Sequence, residues 1–144
     1  MYHHRTAIAC LAQLAAVLGC LVLAGCGSSS GPAIVGGDDT SFIPNFTFVW
    51  DEVDGSGAFV SPVHRFALLV DQDGQKSGAF NSSSNEQLNG STNPVTGTYL
   101  NRVVTISVDR SGTKVNITGR FLDDDTIQFM EPTRTYNIKR NKNP

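Results

Sequence analysis

From residue 42 onward, apolar positions recur at every second residue in short runs broken by Asp, Asn and Gly. Successive side chains of a strand point to opposite faces, so this alternation predicts half-buried β-strands. The run Phe46–Trp50 puts Phe46, Phe48 and Trp50 on one side. Val63–Val70 does the same with Phe66, Leu68 and Val70, and Lys76–Phe80 is a weaker run. Val95–Leu100 carries Val95, Gly97 and Tyr99 on one face; Val103–Val108 carries Val104, Ile106 and Val108. Val115–Phe121 turns Val115, Ile117, Gly119 and Phe121 inward. Thr126–Met130 offers Ile127 and Phe129, and Thr135–Lys139 offers Tyr136 and Ile138.

The breaks carry turn residues: Asp71-Gln72-Asp73-Gly74, Asn89-Gly90, Asp109-Arg110-Ser111-Gly112 and Asp123-Asp124-Asp125. Asn, Asp and Gly tolerate the backbone angles that tight hairpins need. In the second half only two to six residues separate the runs, too few for a crossover helix, which leaves antiparallel pairing. The prediction is an all-β domain: an antiparallel meander of seven or eight strands forming a small barrel or sandwich.

The first 25 residues follow another pattern. Tyr2, His3, His4 and Arg5 lead into Thr6–Gly25, an uncharged run dominated by Ala and Leu. A basic start, an apolar run and then small residues match a secretory signal. About 20 apolar residues could also span a bilayer, but Gln13 and Gly19 interrupt the run and no charged stop follows it. The cysteines separate the two readings. Cys10, Cys20 and Cys26 all lie at or before the end of this run, so the domain beyond offers no disulfide, thiolate metal ligand or cysteine nucleophile.

Leu23-Ala24-Gly25-Cys26 resembles the lipobox of bacterial lipoproteins. The resemblance implies a diacylglyceryl group on the Cys26 sulfur, cleavage before Cys26 and acylation, for example by palmitate, of the new N-terminus. Two or more acyl chains hold a membrane firmly where one does not. Gly27, followed by Ser28, Ser29 and Ser30, stands where an inner-membrane retention Asp would be, which favours the outer membrane and leaves its face open.

The chain divides into a signal peptide (1–25), a lipidated cysteine with a Gly/Ser-rich tether (26–41) and a β-domain (42–144). The tether composition cannot bury enough apolar surface to order itself, although Ala33-Ile34-Val35 could pair as an edge strand. Removing the signal takes away Arg5 and leaves ten basic against thirteen acidic residues, a net charge of −3. The basic residues are scattered apart from Lys139, Arg140 and Lys142. That excludes a nucleic-acid face, and the cluster reads as a solvated chain end able to touch phosphate.

"VTGTYLNRVVTISV", "KVNITGRFLDDDTIQF" and "TYNIKR" resemble the closing meander of small lipocalin-like bacterial lipoproteins, and "LLVDQDGQKSGAF" resembles an earlier hairpin of that kind. The likeness implies an eight-stranded barrel with a packed interior or one small apolar ligand. Trp50, Phe66, Tyr99, Phe121 and Phe129 would line the cavity or fill the core.

Candidate chemistry is sparse. His64 is the one histidine beyond the signal, and no Gly-x-Ser-x-Gly elbow accompanies it, so it reads as a surface or strand-edge residue. Asp51, Glu52 and Asp54, then Asp71 and Asp73, then Asp123–Asp125 could supply paired carboxylates or calcium oxygens, but all read as turn residues. One histidine and no cysteine make a poor zinc set. Asn45, Asn81, Asn89 and Asn116 head Asn-x-Ser/Thr triplets, which in a bacterial protein reflect composition. The expectation is a non-catalytic, cofactor-free module for envelope binding or assembly. Its partners would be the membrane and either a protein or a small apolar ligand; an apolar-ligand carrier and, third, a hydrolase remain as alternatives.

Overall fold

The structure, a computed structural model, describes residues 39–144. The signal segment, Cys26 and all but the last three tether residues lie outside the described residues. Among the described residues nine strands form: β1 (Val49–Val53), β2 (His64–Ala67), β3 (Ser77–Ala79), β4 (Asn85–Leu88), β5 (Ser91–Leu100), β6 (Val103–Arg110), β7 (Thr113–Asp123), β8 (Thr126–Met130) and β9 (Thr135–Asn141). Neighbours run β4-β2-β1-β9-β8-β7-β6-β5, and β5 returns to β4, so eight antiparallel strands close a barrel. β3 is an extra strand on the edge of β5: residues 91–94 of β5 pair with β4 and residues 98–100 with β3.

Two-residue turns set the register. Leu88 pairs with Ser91 across Asn89-Gly90, and Arg110 with Thr113 across Ser111-Gly112. Asn89 and Gly90 have φ of 50° and 80°, Ser111 and Gly112 of 56° and 87°. Two consecutive positive φ values suit the right-handed twist of the flanking strands, which explains Gly at the second position.

Inward positions form one apolar core. Trp50, Phe66, Leu68, Val104, Ile106, Val108, Ile117, Phe121, Ile127, Phe129 and Ile138 are all buried. Two glycines make room for it. A Cβ on Gly119 would stand 2.3 Å from the Phe129 ring, and one on Gly97 would stand 2.2 Å from the Thr105 carbonyl oxygen. Glycine inside a strand marks such close approach.

The barrel has two mouths. The polar mouth holds the β1–β2, β4–β5, β6–β7 and β8–β9 connections. The tether mouth holds the β5–β6 and β7–β8 turns and the incoming segment 39–48. Phe42 and Phe46 close it: Phe42 lies 5.1 Å from Phe121, and Phe46 lies 4.9 Å from Tyr99 and 5.0 Å from Phe80, between ring centroids. Asp39, at the end of the tether, accepts hydrogen bonds from Arg102 Nε and Nη2 at 3.2 and 3.1 Å.

Three expectations need correction. The first strand starts at Val49 rather than Phe46. Phe48 has φ 73°, which breaks the two-residue alternation and turns its ring out to 48 % exposure. Asp51 and Glu52 lie inside β1 rather than in a turn. β4 occupies Asn85–Leu88, where the polar composition predicted no strand.

A buried ionic plug as candidate functional site

The inward parity of each strand, followed toward the polar mouth, reaches a polar residue. Trp50 leads to Glu52, Phe66 back to His64, Val95 back to Asn93, and Val108 on to Arg110. Beyond Phe129 comes Glu131, before Ile138 comes Tyr136, and β4 sends in Glu86. The barrel thus ends in an ionic layer where an apolar one would have continued.

Glu86 is fully buried and is the hub. Arg110 grips it as a fork, Nη2 to Oε1 at 2.5 Å and Nε to Oε2 at 2.9 Å. Asn93 Nδ2 donates to Oε2 at 2.9 Å, and His64 Nε2 lies 2.9 Å from Oε1. Arg110 also spans Glu131, at 2.8 and 3.2 Å, and the Tyr136 hydroxyl donates to Glu131 at 2.8 Å. His64 Nδ1 lies 2.6 Å from Glu52 Oε2. Arg134 donates to Glu52 at 3.1 Å and lies 4.1 Å above the Tyr136 ring.

Burial alone would raise the Glu86 carboxyl, but hydrogen bonds from His64, Arg110 and Asn93 outweigh it and lower it to about 2. Glu131 is lowered against its own burial by Arg110 and Tyr136. The hydrogen bonds to Glu86 and Glu131 raise Arg110. Burial, then the Glu131 charge, raises the Tyr136 phenol. Three carboxylates therefore hold two guanidiniums and an imidazole in place. Single-partner loss here leaves a buried charge uncompensated.

His64 is 3 % exposed, which corrects the surface reading: it is the first residue of β2, yet its ring faces the barrel interior. Glu52 sits on Nδ1 as an orienting carboxylate would in a hydrolase. The other nitrogen, where a nucleophile's hydroxyl would stand, faces Glu86. Asp51, on the opposite face of β1, is 4 % exposed and takes a fork from Arg65 at 2.6 and 2.8 Å plus Asn141 at 2.7 Å.

The remaining acids shape turns or pair with cations. Asp54 accepts from the Ser56 and Ala58 amides, and Asp123 from the Asp125 amide. Asp125 pairs with Arg140 and Lys142 at 3.2 Å each, so two of the three basic residues near the chain end are neutralised within the fold. Asp71 and Asp73 are exposed. Among the described residues no group of three His, Cys, Asp or Glu is placed to hold a metal ion. Two of the Asn-x-Ser/Thr triplets have a structural use: Asn45 accepts from the Thr47 amide at 2.8 Å and Asn81 from Ser83 at 3.0 Å.

Trp50, Phe66, Tyr99, Phe121 and Phe129 are all buried and in ring contact. Trp50 meets Phe121 at 5.7 Å, Phe66 meets Phe129 at 5.1 Å, and Phe129 meets Tyr136 at 6.0 Å, each edge to face. The ring contacts form two groups, one of Phe42, Phe46, Trp50, Phe80, Tyr99 and Phe121 toward the tether mouth and one of His64, Phe66, Phe129 and Tyr136 toward the polar mouth. An open groove of about 560 Å³ lies on the outer wall beside Phe59, Thr126 and Lys139.

Compared with protein-family models, curated proteins and solved structures, the chain matches none. The fold is an eight-stranded antiparallel barrel with one extra strand, compatible with a lipocalin-like binding domain.

Proposed function

We propose that the protein is a bacterial lipoprotein, moored through Cys26, whose barrel is a non-catalytic binding or assembly module of the cell envelope. The anchor reading is carried by Leu23-Ala24-Gly25-Cys26 closing an uncharged apolar run, with no cysteine beyond it. Packing supports a scaffold over a container: aromatic side chains occupy the axis and the protein's own residues stopper both mouths. Gly27 after the anchor favours the outer membrane. Cys26→Ser should stay unprocessed and incorporate no labelled palmitate, while the wild type is labelled and sediments with membranes. Equal labelling of the two would refute the site.

The eight-stranded closure favours a second reading, a carrier of a small apolar ligand held among Trp50, Phe66 and Phe129. That use requires the rings to part. Native mass spectrometry of protein extracted from membranes would find a stoichiometric small molecule under the carrier reading and none under the scaffold reading.

A further inference from the structure

We propose that the tether mouth rests against the lipid surface that holds Cys26, with Ile43, Phe48, Leu69, Leu100 and Leu122 as the contacting side chains. This rests on the lipid-anchor reading above and adds an orientation to it.

Seven large apolar side chains of the described residues are more than a third exposed, and five of them ring this one mouth. Four of the five sit next to a side chain that closes the same mouth from within: Ile43 beside Phe42, Leu69 beside Leu68, Leu100 beside Tyr99, and Leu122 beside Phe121. The chain at each point has one apolar residue facing the core and one facing out. Leu122 stands at a register shift between Phe121 and Asp123, a bulge that leaves it unpaired, and it is 50 % exposed. Phe48 is turned outward by its positive φ. Isolated exposed apolar residues are ordinary, but a set confined to one end marks an interaction surface.

The occupant follows from where the chain leaves the barrel. Asp39 is held at this mouth by Arg102. From Asp39 back to Cys26 the chain can reach at most about 45 Å. A short tether keeps a weak contact at high effective concentration, so modest apolar area suffices. Lys76, Arg102, Arg140 and Lys142 at this end are outnumbered by six carboxylates, Asp39, Asp71, Asp73 and the Asp123–Asp125 turn. The end therefore gains nothing from anionic lipid, and the contact is expected on neutral phosphatidylcholine as well.

The full lipidated protein in phosphatidylcholine vesicles tests this. With the Cys26 sulfur alkylated, Leu100→Cys, Leu122→Cys and, at the opposite mouth, Ser91→Cys each add one free thiol for a fluorescent label. Brominated lipid should quench the labels at 100 and 122 at least twofold and leave 91 unchanged, at low and high salt alike. Protein that floats with the vesicles but is quenched no more at 100 and 122 than at 91 overturns the orientation and leaves the anchor standing. Protein that does not float overturns both. A disulfide dimer through Leu100→Cys, in place of quenching, gives the surface to a second copy and also overturns the proposal.

Discussion

Glu86 concentrates the chemistry of the polar mouth in one side chain. Its carboxyl, lowered to about 2, is ionised in the native state throughout the range where an unfolded glutamate would protonate. A lowered native value adds stability that is complete above the unfolded value of about 4.5 and is lost as pH falls through about 2. The size is on the order of 3 kcal/mol. Urea midpoints between pH 7 and pH 2 should therefore drop in acid, and Glu86→Gln should flatten much of that drop. At pH 7 the same substitution should cost about 3 kcal/mol, because the part-buried Arg110 loses one of its two carboxylate partners. Gly119→Ala should cost about 1–3 kcal/mol in the same assay, since its Cβ would overlap the Phe129 ring. The two-residue period pointed to this ionic layer without identifying it: Arg110 continues Val104, Ile106 and Val108, and Glu131 continues Ile127 and Phe129. Counting only apolar residues ended each run one step early. Nothing local distinguishes a buried glutamate from a solvated one until the strands that supply Arg110 and Asn93 are placed beside it.

Strands and turns were legible to different degrees. The β5–β9 meander follows the alternation closely, and Thr126–Met130 matches residue for residue. Turn chemistry explains why: Asn89-Gly90 and Ser111-Gly112 fix both register and twist. Gly90→Ala should cost about 1 kcal/mol or more. No neighbour lies within 4 Å of a Cβ there, so the loss would come from backbone strain alone, and urea denaturation beside Gly55→Ala, an open site without positive φ, would isolate it. The first half was harder. β4 is Asn-Glu-Gln-Leu, which has no apolar face because its inward residue is the ionic hub. Segment 42–48 alternates only as far as Phe46, since Phe48 takes a left-handed backbone angle that composition does not announce. His64 looked like a strand-edge residue because its two carboxylate partners are 12 and 22 residues away in sequence.

At the scale of the whole barrel, the described residues stopper both ends with their own side chains, aromatic at the mouth where segment 39–48 enters and ionic at the opposite one. That construction suits a rigid surface more than a vessel to be filled and emptied. The proposed anchor rests instead on one tetrapeptide outside the described residues, Leu23-Ala24-Gly25-Cys26, the kind of short linear signal that is read without a fold. Intact-mass analysis of the exported protein tests the central claim most directly. The account predicts a chain beginning at Cys26 and heavier than its amino acids by a diacylglyceryl group and one further acyl chain. A chain beginning elsewhere, or one whose Cys26 sulfur carries no lipid, would contradict it.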